Sequence, residues 1–254
     1  VAVSKQLKYG MEMRVEEIND QGGIHGRKLK LVIEDHGYDP KKAVLVTQKL
    51  VQKDKIFARI GTIGTPTALP SMPILFEKNI PHLFPLTAAR EMYEPLHRLK
   101  YSFAATYFDQ MRAGVKYMVK SKGYKKVCTL YQDDDFGLEV MRGAEAGLKE
   151  LNQALAERTT YKRGATDFSS QIARMKDAGC DFVICPDTSA HIALDAAREP
   201  YPLPGLHIAE IVAERAKADR RKRVALLGTR YTMEGPAYPA AFARNGLEMR
   251  TPAP

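Results

Sequence analysis

The sequence predicts an α/β protein whose parallel sheets are covered by helices on both faces. Three observations lead to this fold class. Apolar, strand-like segments alternate with segments of helical periodicity along the chain. The helical segments are long enough to connect parallel strands, and no apolar run approaches the roughly 18–20 residues that span a bilayer. With 254 residues, the chain can form one large α/β domain or two modest lobes.

The first half of the chain opens with a predicted helix. Ser4 is a suitable N-cap, and apolar residues recur on one helical face from Leu7 to Ile18. The helix should end at the glycine pair 22–23, since glycine suits a helix C-terminus. The elements predicted next are a strand over 28–35, a helix over 40–53, a strand over 57–61, a helix over 65–78 and a strand over 81–85.

The same alternation continues through the second half of the chain. Asp167 is the predicted N-cap of one of its helices. The predicted helices cover 108–121, 136–151, 167–179, 188–198, 206–218 and 233–246, and the predicted strands cover 125–131, 155–161, 181–185, 223–228 and 247–251.

The net charge of +9 does not by itself predict nucleic-acid binding, because the basic residues are scattered. The densest cluster, residues 217–223, follows a predicted helix, where the helix dipole favours cations. Aromatic residues are not interleaved with basic ones as they are in single-strand binders. We therefore expect no nucleic acid among the partners.

The three cysteines do not predict a closed disulfide framework. Cys128 lies inside a predicted strand and is expected to be a small core residue, while Cys180 precedes another strand and Cys185 ends it. Free thiols fit a reducing compartment slightly better, without excluding an exported protein. Neither the cysteines nor the histidines have metal-ligand spacing, so we predict no metal site and no cofactor.

Ligands of parallel α/β sheets bind beyond the carboxyl ends of the strands. The loop over 61–67 lies at such an end and is rich in glycine and hydroxyl residues. Thr65, Thr67 and the backbone N–H groups at the start of the next helix could bind a carboxylate. The alternative for Thr65 is that it only caps the helix.

Two further strand ends carry candidate ligand residues. Thr87, Ala88 and Ala89 form a second wall of polar and small side chains. After the strand over 125–131, three acids precede Phe136. The acids could serve acid–base chemistry or bind a cation, but a solvated turn with Phe136 as an apolar wall is the preferred interpretation.

Most of the chain resembles the type I periplasmic solute-binding proteins of the Leu/Ile/Val-binding family, which serve ABC transporters. The resemblance runs from about residue 5 to 183, in the family's order, although the strand that precedes the first helix in the family is missing. The segments that carry it are 15–35, 39–51, 60–89, 130–140 and 166–183.

The resemblance implies two lobes that close on an amino acid or a related carboxylate. It implies that Thr65 and the turn from Thr87 to Ala89 hold the α-carboxylate and α-amino groups of the ligand. It also implies that Phe136 is the aromatic residue that the second lobe lays against the ligand.

The last 70 or so residues resemble a different family, the aspartate/glutamate racemases. Cys185 and His191 match its signature, whereas Thr188-Ser189 stand where Asn-Thr is usual, and the segment with the family's second catalytic cysteine is missing. Racemisation without a cofactor requires a base on each face of the α-carbon. Cys180 lies roughly 15 Å along the strand from Cys185 and cannot face it. We therefore expect no racemisation.

Together, these patterns predict an α/β protein of two Rossmann-like lobes. The lobes are expected over 1–104 and 105–183, with a racemase-like segment over 184–254 that completes or extends the second lobe. The expected function is capture of an amino acid or related carboxylate, aromatic or aliphatic, in the cleft between the lobes, with an ABC-transporter permease as the membrane partner. The expected location is the periplasm, with an export signal absent or already removed.

Two alternatives remain open. The first is a racemase-family enzyme that acts through Cys185, for which a cytoplasmic location is expected. The second is a hybrid chain without retained function, because two resemblances meet near residue 183. Such a chain would be incomplete or chimeric, with an origin by recombination, design, misassembly or natural fusion.

Overall fold

The structure is a computed structural model that describes residues 2–165, 167–185, 208–226 and 233–251. Helices alternate with short parallel strands, which confirms the predicted α/β class. The chain divides into two compact units, residues 1–106 and 107–254. Within the described ranges, no helix is both long enough and apolar enough to cross a membrane.

The first unit contains a three-stranded parallel sheet in the order β1-β2-β3. Its register pairs Arg59 with His82 and His82 with Lys100. The helices are α1 (Ala2–Asp20), α2 (Pro40–Gln52), α3 (Thr65–Ala68) and α4 (Met72–Glu77), with 3₁₀ turns at Leu69–Ser71 and Arg90–Met92, and the strands are β1 (Arg59–Ile60), β2 (His82–Leu83) and β3 (Lys100–Tyr101).

The prediction of a strand over 28–35 is wrong. No strand in the described part of the chain pairs with these residues, and a strand exists only through such pairing. The segment is instead attached to α1, because the Asn19 amide donates to the Leu29 carbonyl (2.9 Å) and accepts from the Leu29 N–H (2.7 Å).

The prediction of a single α-helix over 65–78 is also wrong. In the structure this segment is divided into α3, a 3₁₀ turn and α4. Pro70 and Pro73 lack the N–H that an α-helix needs in its interior, so a continuous helix cannot form across them. Only four residues, Thr65–Ala68, follow the candidate ligand loop as an α-helix.

The second unit has a parallel sheet in the order β5-β4-β6, in which every residue of the central strand β4 is buried. A two-stranded parallel sheet of β7 and β8 packs with α8 and α9 around Phe242. The elements are α5 (Tyr107–Lys122), β4 (Val127–Gln132), α6 (Asp135–Lys149), β5 (Glu157–Tyr161), α7 (Ser169–Asp177), β6 (Phe182–Ile184), α8 (Ile208–Ala218), β7 (Arg223–Ala225), α9 (Ala237–Arg244) and β8 (Glu248–Arg250).

The start of α7 differs from the prediction by one residue. Phe168, not Asp167, is at the N-cap position, and it makes no side-chain cap bond. The Asp167 carboxylate nevertheless accepts bonds from the N–H (2.9 Å) and the hydroxyl (2.6 Å) of Ser169. These bonds lower the pKa of Asp167, so the residue stabilises the helix start from one position upstream.

The interpretation of Cys128 and Cys180 as free thiols was wrong. Cys128 in β4 and Cys180, just before β6, form a disulfide, with their Cα atoms 5.9 Å apart. The sheet register explains their proximity, since Cys128 pairs with Val183 and the turn at Gly179 brings Cys180 back against the same cluster. Cys128 is a core residue as predicted, but it is a covalently bonded one.

Candidate functional site

In the first unit, the loops that follow β1 and β2 are joined side by side by backbone hydrogen bonds. The Leu86 N–H donates to the Thr62 carbonyl (2.7 Å), and the Gly64 N–H donates to the Leu86 carbonyl (3.2 Å). Ile63 and Leu86 form an isolated parallel bridge. This ladder extends the sheet beyond its carboxyl edge and brings two sequence-distant loops together, where ligands of parallel α/β sheets bind.

Thr65 and Thr87 meet at this edge. Their hydroxyl oxygens are 2.6 Å apart, although the residues are 22 positions apart in the sequence. Both are buried, at 1% and 4% exposure. The Ala89 N–H donates to the Thr87 hydroxyl at 3.3 Å. Two hydroxyls and a backbone N–H thus form a compact group that could donate to one carboxylate.

The other two predicted residues of the first unit behave differently. The Thr67 hydroxyl donates within its own segment, to the carbonyls of Ile63 and Gly64, and does not bond to Thr65 or Thr87. Ala88 and Ala89 are buried, at 6% and 1% exposure. Thr65 makes no cap bond, because the N-cap position belongs to Gly64.

Sequence reasoning missed Tyr38, which packs against the same loop. Gly64 has a φ of 94°, and a Cβ there would lie 2.3 Å from the Tyr38 ring. Only glycine therefore permits this approach of the ring to the loop. The glycines of the loop were noted in the sequence, but nothing in the sequence signals which side chain would use the space.

Sequence reasoning also missed a buried polar chain beneath the loop. The Arg59 Nε donates to the Thr62 hydroxyl (3.0 Å), whose oxygen is 3.2 Å from His82 Nε2. Burial, with the nearby charges of Arg59 and Lys100, lowers the pKa of His82 to about 4, so the imidazole is neutral at pH 7. A hydroxyl can accept from Arg59 and donate to a neutral imidazole at the same time.

In the second unit, Phe136 lies in the first turn of α6. Its ring meets that of Tyr107, the first residue of α5, edge to face, with centroids 5.0 Å apart. Gly137 permits the close approach of this turn to β4, since a Cβ there would be 1.9 Å from the Gln132 carbonyl oxygen. Tyr107 was not predicted and extends the apolar wall that Phe136 offers.

One acid of this loop, Asp134, has a structural role. Asp134 is the N-cap of α6 and accepts from the Gly137 N–H at 3.2 Å. Across the described residues, no group of three or more acidic, histidine or cysteine side chains is arranged to hold a metal ion.

Cys185 is partly exposed and packs against the cluster that contains the Cys128–Cys180 disulfide. Because the disulfide occupies both other thiols, neither can serve as a base opposite Cys185. His191, Thr188 and Ser189 lie outside the described residues, as does the helix predicted over 188–198.

One shallow pocket of about 420 Å³ lies elsewhere on the first unit. Its lining residues precede β1 and β2 in the sequence and are Val51, Gln52, Lys55, Ile56, Phe57, Lys78, Asn79 and Ile80. The pocket is therefore near the amino ends of the strands, at the opposite edge from the threonine pair.

Solved structures show which class of fold this is. A substrate-binding periplasmic protein from Ralstonia solanacearum matches with a TM-score of 0.68 and 23% identity, over 85% of this chain and 63% of that one. The branched-chain amino acid transporter substrate-binding protein LivJ from Streptococcus pneumoniae, in complex with isoleucine, matches with a TM-score of 0.63 and 21% identity, over 78% and 57% of the respective chains. The fold is that of the type I periplasmic binding proteins.

The chain belongs to the periplasmic binding protein family, as predicted. A sequence profile described as Periplasmic binding protein matches residues 2–199. The Leu/Ile/Val-binding protein of Escherichia coli (strain K12) is 30% identical over 174 residues, 68% of this chain and 47% of that protein. An amino acid binding protein of Pseudomonas aeruginosa is 29% identical over 184 residues, 70% and 48% of the two chains. This chain thus spans about half the length of these relatives.

A second profile, described as Asp/Glu/Hydantoin racemase, matches residues 145–254. It begins earlier than the resemblance read from the sequence, which covered only the last 70 or so residues. The two profiles overlap over 145–199, so the transition between the families is not confined to one point near residue 183.

Proposed function

We propose that this protein binds an amino acid or a related small carboxylate reversibly, as the solute-binding component of an ABC transporter. The observation that carries the proposal is the Thr65–Thr87 hydroxyl pair at the carboxyl edge of the first sheet. The pair lies in the part of the chain that matches the family.

In the first unit, the ligand carboxylate would replace the bond between the two hydroxyls. Each hydroxyl would then donate to a carboxylate oxygen, and the Ala89 N–H, now 3.3 Å from Thr87, would contribute a third donor. Hydrogen bonds to a charged group are worth about 1.5–3 kcal/mol each. The Thr67 hydroxyl is already bonded to the carbonyls of Ile63 and Gly64, and Ala88 has no side-chain donor, so these two residues would support the loop.

In the second unit, Phe136 and Tyr107 would contact the apolar part of the ligand. Their edge-to-face pair leaves both rings partly exposed, which suits an aliphatic or an aromatic side chain. The proposed lobes are residues 1–104 and 105–183, and residues 184–254 would complete or extend the second.

The partner and location follow from the same proposal. A solute-binding component delivers its ligand to a membrane permease in the periplasm, where disulfides form and persist. The Cys128–Cys180 disulfide supports this location over a reducing compartment.

Isothermal titration calorimetry against aliphatic amino acids, aromatic amino acids and benzoate tests the proposal. Thr65→Val and Thr87→Val should each weaken binding by about tenfold or more, because each removes one donor to a charge. Thr47→Val is the matched control, since it removes a buried hydroxyl of the same unit that bonds to Ala43 and Ser71. Failure of the whole panel to bind would favour a hybrid chain without retained function.

A racemase is the second candidate, because the racemase profile covers 145–254 and Cys185 is partly exposed. The disulfide removes the two other thiols as the opposing base, which favours binding over catalysis. Interconversion of D- and L-aspartate or glutamate that disappears in Cys185→Ala would reverse this preference.

A further inference from the structure

Arg59 is a buried cation with no counter-charge in contact with it among the residues that the structure describes. The residue is only 8% exposed, and within those residues its buried Nη1 has no hydrogen-bond partner. Its Nε bonds to a neutral hydroxyl, that of Thr62. Among the described residues, Glu34 is the acid whose charge acts on Arg59, but that carboxylate is hydrogen-bonded to Lys49. A buried charge is costly unless it is paired.

Arg59 lies in a row of basic residues, in which Lys100 adds a second positive charge and His82 is neutral at pH 7. The register places Arg59, His82 and Lys100 side by side on adjacent strands, and we call these three residues the basic row. Register partners in a sheet project from the same face, with strands about 4.8 Å apart. Lys100 Nζ donates to the carbonyls of Glu94 (3.1 Å) and Pro95 (3.2 Å), and within the described ranges Glu91 is the acid whose charge acts on it.

His36 approaches the basic row from the adjacent segment. Burial lowers the pKa of His36 first, and the charge of Arg59 lowers it further. Burial lowers the pKa of Arg59 as well. The part of the His36 shift that comes from the charge of Arg59 reflects positive charge in the cluster, whereas the part that comes from burial opposes a charge of either sign.

We propose that the basic row binds a small oxyanion, either an organic carboxylate or an inorganic ion such as sulfate or phosphate, with the Arg59 guanidinium as the principal donor. Nη1 supplies a donor for which the described part of the chain offers no acceptor, and a guanidinium is suited to carboxylate and phosphate geometry. The proposal rests on Arg59 and its register partners rather than on the Thr65–Thr87 pair, so it does not depend on the proposed function.

The test is a thermal-shift titration of the purified protein with sodium sulfate, phosphate, acetate and succinate, each compared with sodium chloride at equal ionic strength. At ten times the dissociation constant, the preferred oxyanion should raise the melting temperature by about 3 °C in a saturable manner. Comparison of the inorganic ions with the carboxylates identifies which source of the oxyanion the site prefers.

Arg59→Met should abolish the saturable increase, and Arg27→Met, at an exposed arginine of the same unit, should retain it. Equal increases in both variants would overturn the proposal, because sulfate and phosphate also stabilise proteins by exclusion from the surface. No increase with any oxyanion would overturn it as well.

A second measurement on the unmodified protein covers the case in which Arg59→Met does not fold. The imidazole resonances of His82 report its pKa directly by NMR titration. Oxyanion binding beside His82 should move this pKa upward, whereas surface exclusion of the ion should leave it unchanged. An unchanged pKa at saturating oxyanion would count against the site.

Discussion

Protonation of His82 should affect the stability of the first unit. Its pKa falls from 6.5 to about 4 because the ring is buried next to Arg59 and Lys100. The unfolded chain therefore binds a proton that the folded chain does not bind between these values. Stability should be lost as the pH falls through this window, with about 2 kcal/mol lost between pH 7 and pH 5.

Urea unfolding of the unmodified protein and of His82→Gln at both pH values measures this contribution. The variant should lose less stability on acidification, since glutamine does not titrate. His36 also has a lowered pKa, so only the difference between the two proteins reports on His82. Identical pH dependence in the two proteins would contradict the prediction.

At the scale of elements, the first turn of α6 depends on Gly137. A Cβ at this position would lie 1.9 Å from the Gln132 carbonyl oxygen, so Gly137→Ala must displace the helix start or the end of β4. We expect a loss of at least about 2 kcal/mol, as for other substitutions that overpack a close backbone contact.

Gly114 in α5 is the matched control for this substitution. Nothing lies within 4 Å of a Cβ placed there, so Gly114→Ala should stabilise α5 by roughly 1 kcal/mol through helix propensity. Chemical denaturation of both variants provides the comparison. Equal effects of the two alanines would show that the approach of α6 to β4 is looser than the structure indicates.

The disulfide connects β4 to the turn that precedes β6. It closes a segment of 52 residues, for which loop-closure entropy predicts a stabilisation of about 4 kcal/mol. Dithiothreitol should therefore lower the melting temperature of the unmodified protein. The double variant Cys128→Ala/Cys180→Ala should be less stable from the outset and insensitive to the reductant, and a sensitive double variant would contradict this explanation.

For the whole molecule, sequence periodicity was sufficient to predict most elements of the second unit. Strands such as β4 are mainly apolar and buried throughout, and helices such as α6 have one apolar face, so local pattern and burial agree. The prediction failed at 28–35, where the pattern of a strand is present but no partner strand is described. Pairing is a tertiary property that a single segment cannot reveal.

The candidate site was predicted only in part, for a related reason. Thr65 and Thr87 were identified because each follows a strand, but their 2.6 Å contact depends on the parallel register of β1 and β2. Arg59 and His82 were missed because each sits within a strand, where sequence offers no sign that a polar side chain will be buried. The disulfide was missed because its two cysteines come together only through the pairing of β4 with β6.

The cross-link between Cys128 and Cys180 also determines how the second unit responds to a cut in its backbone. The turn after β5 is exposed at Lys162 and Arg163 and lies between the two bonded cysteines. A protease that cleaves this turn once would separate the chain into two peptides that stay covalently attached. The nicked protein would migrate as one species on a non-reducing gel and as two after reduction, which locates the bond without a structure.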